Sequence, residues 1–183
     1  MDELRRLEAL KAYEILDTAP EAAFDRLTAV AAGLFQTPVS LVSLIDETRQ
    51  WFKSCRGLAV TETPRDMAFC DHAIRADDVL VVPDATRDPR FRSNPLVVGE
   101  PHIRFYAGAP LRTPGGEVLG TLCVIDFKPR RPSPENIRLL ALLAQAVVDA
   151  LELAWLWRGT TGRPNGASRR RRRPPPPNSV FAT

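Results

Sequence analysis

The strongest constraint on the fold is a turn between two strand-like runs in the second half of the chain. The segment TPGG, residues 113–116, separates residues 103–112 (IRFYAGAPLR) from residues 117–126 (EVLGTLCVID). Both runs are rich in the β-branched and apolar residues that strands prefer, and a Pro-Gly pair favours a tight reversal of the chain. The sequence therefore predicts an antiparallel hairpin at this point.

A second hairpin and a short strand extend the predicted sheet. Residues 39–46 (VSLVSLID) and 49–55 (RQWFKSC) are strand-like and flank a turn at residues 46–48. Residues 80–83 form a further brief strand, and residues 84–102 form a long irregular connection with at most one helical turn. About five strands with helices at both ends of the chain favour an α+β fold over a parallel α/β fold.

Three helices are predicted around this sheet. A short amphipathic helix ends near Leu16, and a second begins at residues 18–21 (TAPE), which have the spacing of a capping box, and ends at Pro38. The third begins at Ser133, an N-cap candidate followed by proline, and runs to about Trp157. A further short helix is predicted within residues 66–76.

The charge of the chain is divided unevenly. The chain has 183 residues and a formal net charge of +3, but residues 159–183 hold six arginines and no acidic residue, which leaves 19 basic and 22 acidic residues in residues 1–158. The body is therefore weakly acidic, and a nucleic-acid-binding surface on the folded part is not supported. No uninterrupted apolar run reaches the roughly 20 residues that span a bilayer, and we expect a cytoplasmic protein without a membrane span.

The segment ETPRDMAFCDHAIR, residues 62–75, places Cys70 and His72 two positions apart. A catalytic thiol needs a base within reach and a third group to orient it, and side chains at i and i+2 point to different sides of a helix. The three cysteines have irregular spacing without a CxxC motif, so we expect reduced thiols. Two histidines are too few for an evident metal centre, although a haem held by one histidine stays open.

Six segments of the chain occur in a recognisable order. They are YEILDTAPEAAFDRLTAVAAGLF, VSLVSLIDETRQWFKS, ETPRDMAFCDHAI, LVVPDATRDPRFRSNP, IRFYAGAPL and GTLCVIDFKPR. In this order they resemble the GAF domains at the input end of bacterial sensor histidine kinases and diguanylate cyclases, over about residues 4–157. The resemblance implies an antiparallel sheet of five or six strands, with the terminal helices on one face and a ligand cavity on the other. It also implies a sensory or regulatory module that is not an enzyme.

The resemblance implies that the Cys70 segment and the loop at residues 84–102 roof the cavity. Arg104 and Tyr106 alternate along a strand and should share one face of the sheet, where Arg104 would suit a carboxylate or phosphate. An equal alternative is that Arg104 pairs with Asp84 or Asp88 and holds the loop. The candidate ligand-binding residues are Cys70, His72, Asp84, Phe91, Arg104 and Tyr106. No catalytic residue, metal ligand or cofactor is assigned, and the ligand is not identified.

The last helix carries two apolar seams. One consists of Ile137, Leu140, Ala144, Val147, Leu151 and Ala154, and the other of Leu139, Leu143, Ala146, Ala150, Leu153 and Trp157. If one seam packs on the sheet, the other is left to bury elsewhere, which predicts a homodimer through residues Ile137–Trp157. Packing of both seams within one domain is the alternative.

The sequence divides into a GAF domain at residues 1–158 and an Arg- and Pro-rich tail at residues 159–183. The tail is predicted to be disordered, with Pro174–Pro177 in polyproline II, and its five successive arginines either touch nucleic acid or an anionic surface or remain solvated. Gly159 is predicted to interrupt the last helix. The expected output is therefore a separate partner, such as a histidine kinase or a cyclase.

Three functions from different classes remain open. The first is a stand-alone sensory module that binds a small ligand. The second is a thiol redox enzyme of the methionine sulfoxide reductase type, although the cysteine segments FCDHAI and GTLCVID do not look like those of that group. The third is a dimerising or tethering protein without a ligand.

Overall fold

The computed structural model of the chain describes residues 2–161 and forms one six-stranded antiparallel sheet with helices. The spatial order of the strands is β3-β2-β1-β6-β5-β4. The strands are β1 (Val39–Ile45), β2 (Arg49–Arg56), β3 (Glu62–Pro64), β4 (Leu80–Val82), β5 (Phe105–Arg112) and β6 (Val118–Asp126). The helices are α1 (Glu3–Ala12), α2 (Ala22–Phe35), α3 (Phe69–Ala73), α4 (Pro95–Val98) and α5 (Pro134–Thr161), with a 3-10 turn at Arg65–Met67. The α+β prediction is confirmed.

The two predicted hairpins form the centre of the sheet. β1 pairs with β2 and also with β6, and β6 pairs with β5. In the β5–β6 turn the Thr113 amide donates to the Glu117 carbonyl over 2.8 Å, and Gly116 has φ +92°. β1 and β6 are buried along their whole length because both faces of the sheet are covered. This explains why both strands have continuous apolar character rather than strict alternation.

One face of the sheet packs against the terminal helices. The first predicted seam of α5 lies in this core, where Leu140, Ala144, Val147 and Leu151 are buried with Phe24 of α2. The strands contribute the residues that alternate towards this side. They include Val42, Leu44, Phe105, Ala107, Ala109, Leu111, Leu122 and Val124. The placement of the terminal helices on one face thus follows from the period-two pattern of the strands and the heptad pattern of α5.

Two details of the helices differ from the sequence predictions. The capping box at residues 18–21 does not form: Thr18 donates its hydroxyl to the Ile15 carbonyl over 2.6 Å, and α2 begins after Glu21 without a side-chain cap. The predicted interruption at Gly159 is also wrong, because α5 continues to Thr161. The N-cap of α5 is as predicted, with the Asn136 amide donating to the Ser133 hydroxyl over 3.1 Å.

The connection between α1 and α2 is tied to the sheet by a buried lysine. The ammonium of Lys53, on β2, donates to the Thr18 hydroxyl at 2.8 Å and the Ala19 carbonyl at 2.7 Å. It also pairs with the Glu21 carboxylate at 2.7 Å and lies over the ring of Phe24. One side chain therefore satisfies three acceptors from a segment without regular structure.

α5 has a second property that depends only on length and composition. Its residues Pro134–Arg158 are long and apolar enough to cross a membrane, which a search for uninterrupted apolar runs does not reveal. Core helices meet the same criterion, and one side of α5 is buried against α2 and β5.

The predicted tail lies outside the described residues from residue 162 onwards.

Candidate functional site

The face of the sheet opposite the terminal helices is covered by α3 and the long loop. α3 has only five residues, and its buried side chains Phe69, Cys70 and Ala73 point towards the sheet. The 3-10 turn before it is held by Arg65, which donates to the Asp71 carboxylate and to the Glu3 carboxylate of α1, both over 2.7 Å. The Asn94 side chain donates to the Met67 carbonyl over 3.0 Å. Polar contacts at the surface thus hold a short apolar roof.

Beneath α3 lies a group of five buried polar and sulfur-containing side chains, Ser43, Cys70, Tyr106, Thr121 and Cys123, which we name the sulfur–hydroxyl cluster. The Tyr106 hydroxyl donates to the Cys70 sulfur over 3.2 Å, and the two sulfurs lie 3.8 Å apart. Ser43 and Thr121 are cross-strand partners on β1 and β6. The hydroxyls of these two residues are buried without a hydrogen bond of good geometry. Both lie beside the Cys70 sulfur, and the Thr121 hydroxyl also lies beside Cys123 and Tyr106. The cluster is thus an incompletely satisfied polar site on an otherwise apolar face.

Gly108 creates the space for the Tyr106 hydroxyl. Gly108 lies two residues after Tyr106 on β5 and directly opposite Cys123 on β6. A Cβ atom at residue 108 would lie 2.1 Å from the Tyr106 hydroxyl oxygen. The absent side chain therefore lets the Tyr106 ring lie along the strand and reach Cys70.

The pKa values of the two thiols in the cluster shift in opposite directions. Burial by itself raises the pKa of Cys70, but the neighbouring Cys123, Ser43, Thr121 and Tyr106 groups stabilise the thiolate, outweigh burial and lower that pKa. The hydrogen bond with Cys70 and burial raise the pKa of Cys123 well above its ordinary value. Burial likewise raises the pKa of the Tyr106 phenol. Negative charge in the cluster is therefore best accommodated on the Cys70 sulfur.

Two aromatic rings close the cluster on the side of the loop. The Phe91 ring stacks on the Phe69 ring with centroids 4.1 Å apart, and Phe69 also contacts Tyr106 at 5.3 Å. His72 is exposed and meets Phe91 with its edge at 4.8 Å, and partial burial lowers its pKa. His72 thus lies outside the layer of rings rather than beside Cys70.

Asp84 and Arg104 form hydrogen bonds that hold the loop at residues 84–102. Asp84 accepts from the Thr86 amide and hydroxyl at 3.0 and 2.6 Å, which closes a local turn. Arg104 donates to the carbonyls of Val97 and Ile103 at 2.9 and 3.0 Å, so it holds α4 by backbone acceptors. The predicted pairing of Arg104 with Asp84 or Asp88 is not formed, because these carboxylates pair with Arg87 and Arg90 in their own turns.

The space that the resemblance assigns to a ligand is occupied by side chains in this structure. Tyr106 and Phe91 are fully buried, and Cys70 is 2% exposed. Five surface clefts among the described residues have volumes of 230 to 660 Å³, and none of these five is lined by Cys70, Phe91 or Tyr106. The roof and the cluster are therefore in contact, and a ligand would reach the cluster only if α3 moved.

Comparison with known proteins assigns the family. Residues 19–151 match the profile of the GAF domain. The chain belongs to the GAF family. A cyclic di-GMP phosphodiesterase of Pseudomonas aeruginosa, PA2567, is 46% identical over 148 residues. That match covers 80% of this chain and 25% of the relative, so this GAF domain spans a quarter of the phosphodiesterase's length.

Solved structures support the same fold. The GAF domain of an Acinetobacter phosphoenolpyruvate-protein phosphotransferase superposes with a TM-score of 0.61 at 19% identity, covering 89% of this chain and 99% of that one. A domain of a putative two-component sensor histidine kinase protein from Sinorhizobium meliloti superposes with a TM-score of 0.59 at 15% identity, covering 79% of this chain and 99% of that one. Both solved structures therefore support the GAF fold of this chain.

The candidate site contains three residues that sequence reasoning did not select. Ser43, Thr121 and Cys123 join Cys70 and Tyr106. His72 lies outside the aromatic rings, and Asp84 and Arg104 bond other parts of the loop. The available signal was a small polar residue on the same side of two apolar strands, VSLVSLI and GTLCVID. Among residues 2–161, no three His, Cys, Asp or Glu side chains form a group that could hold a metal ion.

Proposed function

We propose that this GAF domain is a sensory module that binds a small polar ligand at the sulfur–hydroxyl cluster. The observation that carries the proposal is the pair of buried hydroxyls of Ser43 and Thr121, which lack good partners. A buried hydroxyl without a hydrogen bond costs about 1–3 kcal/mol. A ligand that bonds both hydroxyls would recover this free energy, which offsets the cost of moving α3.

The proposed output runs through the terminal helices. Arg65 joins Asp71 of α3 to Glu3 of α1, and Tyr13 at the end of α1 donates its hydroxyl to Glu152 of α5. The strands offer a second connection, because Phe105 and Ala107 of β5 pack with α5 on the face opposite Tyr106. Displacement of α3 would therefore bias both terminal helices.

The proposed action is binding rather than catalysis. The Cys70 sulfur has a phenol, two hydroxyls and a second thiol as neighbours, while the imidazole of His72 lies outside the aromatic layer. This arrangement supplies hydrogen-bond donors but places no imidazole base beside the thiol. The phosphodiesterase activity belongs to the relative named above, and a cytoplasmic kinase or cyclase partner is part of this proposal.

The ligand is expected to raise the melting temperature of the reduced protein. Screening nucleotides, amino acids and carboxylic acids by thermal shift, together with native mass spectrometry of freshly purified protein, should find a bound small molecule. A ligand at about 100 times its Kd stabilises by about 2.7 kcal/mol, or roughly 5–10 °C for a domain of this size. The double variant Ser43→Ala, Thr121→Val should abolish this shift without lowering the melting temperature of the free protein.

Ser40→Ala is the matched control. The Ser40 hydroxyl is also buried without a partner, but Ser40 lies next to Leu41 on β1 and so points to the opposite, helix-covered face. The control should retain the full thermal shift. An unchanged shift in the double variant would place the ligand elsewhere, and an apo mass with no hit in the panel would contradict the proposal.

We further propose that α5 pairs with α5 of a second copy. Leu142 and Leu153 are 59% and 57% exposed, and with Ala146 and Asp149 they follow heptad spacing along a helix about 42 Å long. The opposite side of α5 is already buried on the sheet. The exposed seam differs from the second seam predicted from the sequence, because Leu143 and Ala150 of that seam pack against the core. Two copies of the same seam are self-complementary about a two-fold axis.

Light scattering at tens of micromolar should therefore give the mass of a dimer. The variant Leu142→Lys, Leu153→Lys should give a monomer with an unchanged circular dichroism spectrum, because it places like charges in the seam. Val98→Lys is the control, since Val98 is similarly exposed but lies on α4. A monomeric wild-type protein, or a dimer that survives both lysines, would remove the α5 interface.

A further inference from the structure

Two cysteines of the sulfur–hydroxyl cluster belong to different structural elements. Cys70 lies on the roof helix α3 and Cys123 on the central strand β6, and their sulfurs are 3.8 Å apart. A disulfide bond requires about 2.05 Å, so the sulfurs need to approach by about 1.8 Å. A change of side-chain torsion and a small shift of a five-residue helix can supply this distance. The geometry is therefore close to that of a bridge between roof and sheet.

The two sulfurs are not equivalent. The Tyr106 hydroxyl donates to the Cys70 sulfur over 3.2 Å, and the hydroxyls of Ser43 and Thr121 lie beside the same atom. Such donors favour the thiolate, which is the nucleophilic form of cysteine. Cys123 lies behind it on the strand and is fully buried. Cys70 is thus the sulfur suited to react first, and Cys123 the sulfur suited to resolve the product.

The third cysteine is separated from this pair. Cys55 of β2 and Cys123 of β6 are both directly opposite Leu41 of β1. They are therefore two strand spacings apart, about 10 Å. The Cys55 thiol donates to the Leu58 carbonyl, and burial raises its pKa. Cys55 provides an internal control for any reaction of the pair.

We infer that Cys70 and Cys123 are a redox-convertible pair, and that a hydroperoxide oxidises them to a disulfide that ties α3 to β6. The Cys70 thiolate attacks the peroxide O–O bond and becomes a sulfenic acid, and the leaving oxygen takes a proton and departs as water or an alcohol. The Cys123 sulfur then loses its proton, attacks the Cys70 sulfur and displaces hydroxide, which leaves as water. Two thiols are oxidised by two electrons, and one hydroperoxide is reduced.

The bridge would fix the roof in its closed position. α3 has only five residues and no side-chain cap at its N-terminus, so it is the element of this face most suited to local opening. Both sulfurs are nearly inaccessible, and the oxidant reaches them only through that opening. Formation of the disulfide does not depend on the proposed function. Its consequence, that a ligand cannot reach the cluster while the bridge is present, rests on that function.

The test treats the full reduced chain with hydrogen peroxide. The protein is then denatured, and the thiols that remain free are labelled with an alkylating reagent. The free-thiol count should fall from three to one, the intact mass should drop by two hydrogens, and peptide mapping should join the peptides of Cys70 and Cys123. Cys55→Ser should form the same bridge. Cys123→Ser should stop at a sulfenic acid on Cys70, which dimedone traps.

A further variant separates reactivity from packing. Tyr106→Phe keeps the ring but removes the hydroxyl that donates to Cys70, and it should slow the first oxidation by about tenfold. The inference is overturned if the folded wild-type protein retains three thiols, or if the bridge involves Cys55. Ligand-induced thermal shifts of the reduced protein test the proposed function separately, so the two can fail independently.

Discussion

Replacing Gly120 by alanine is expected to lower the free energy of unfolding by about 3 kcal/mol or more. Gly120 lies on β6 opposite Leu44 of β1. A Cβ atom at residue 120 would lie 1.9 Å from the Ser43 carbonyl oxygen and 2.8 Å from the Leu44 Cα atom. Both atoms are backbone and cannot rotate away, so the two central strands would have to separate.

Urea denaturation followed by circular dichroism, in reducing buffer, measures this loss. Gly33→Ala is the matched control, because a Cβ there would have no heavy atom within 4 Å and Gly33 lies within α2. The free energy of unfolding of the control should rise by about 0.5–1 kcal/mol, because alanine is favoured over glycine within a helix. If Gly120→Ala unfolded within 1 kcal/mol of the wild type, the close approach of β1 and β6 would be contradicted.

Replacing Lys53 by alanine is expected to lower the free energy of unfolding by about 2–3 kcal/mol. The variant removes the donor for Thr18 and Ala19, the partner of Glu21 and a buried four-carbon stem. Lys53→Met retains most of the stem and should lose about half as much, which separates packing from hydrogen bonding. The expected losses are modest because the Glu21 carboxylate is partly exposed and can bind water when the lysine is absent.

The same denaturation experiment applies, with Lys128→Ala as the control. Lys128 is exposed at the end of the sheet, and its replacement should change the free energy of unfolding by no more than about 0.5 kcal/mol. Equal effects at positions 53 and 128 would mean that the connection between α1 and α2 does not depend on the buried ammonium.

Most of the sheet was predictable because its information is local. The TPGG segment and the strand-like runs beside it define the β5–β6 hairpin without knowledge of the rest of the chain. β3 was missed because three residues, Glu62–Pro64, carry no periodicity and depend on pairing with β2. The capping box failed for a related reason. Thr18 uses its hydroxyl to bond Ile15 and Lys53 instead of the start of a helix.

The candidate site was predictable only in part, and the division has a physical cause. Cys70, Phe91 and Tyr106 lie together because α3 and the loop both cover the same sheet face. Arg104 binds backbone carbonyls, which sequence patterns do not identify as partners, and Asp84 is satisfied within its own turn. Lys53 illustrates the same limit. A lysine on a strand is normally solvent-exposed, and only the path of the α1–α2 connection buries it.

Both outer strands of the sheet are very short. β3 and β4 have three residues each, and the last residue of β3 is Pro64, which has no amide hydrogen to donate. A long outer strand is a template on which another chain can add by backbone hydrogen bonding, and short strands with proline prevent such growth. This sheet is therefore protected against strand-addition aggregation.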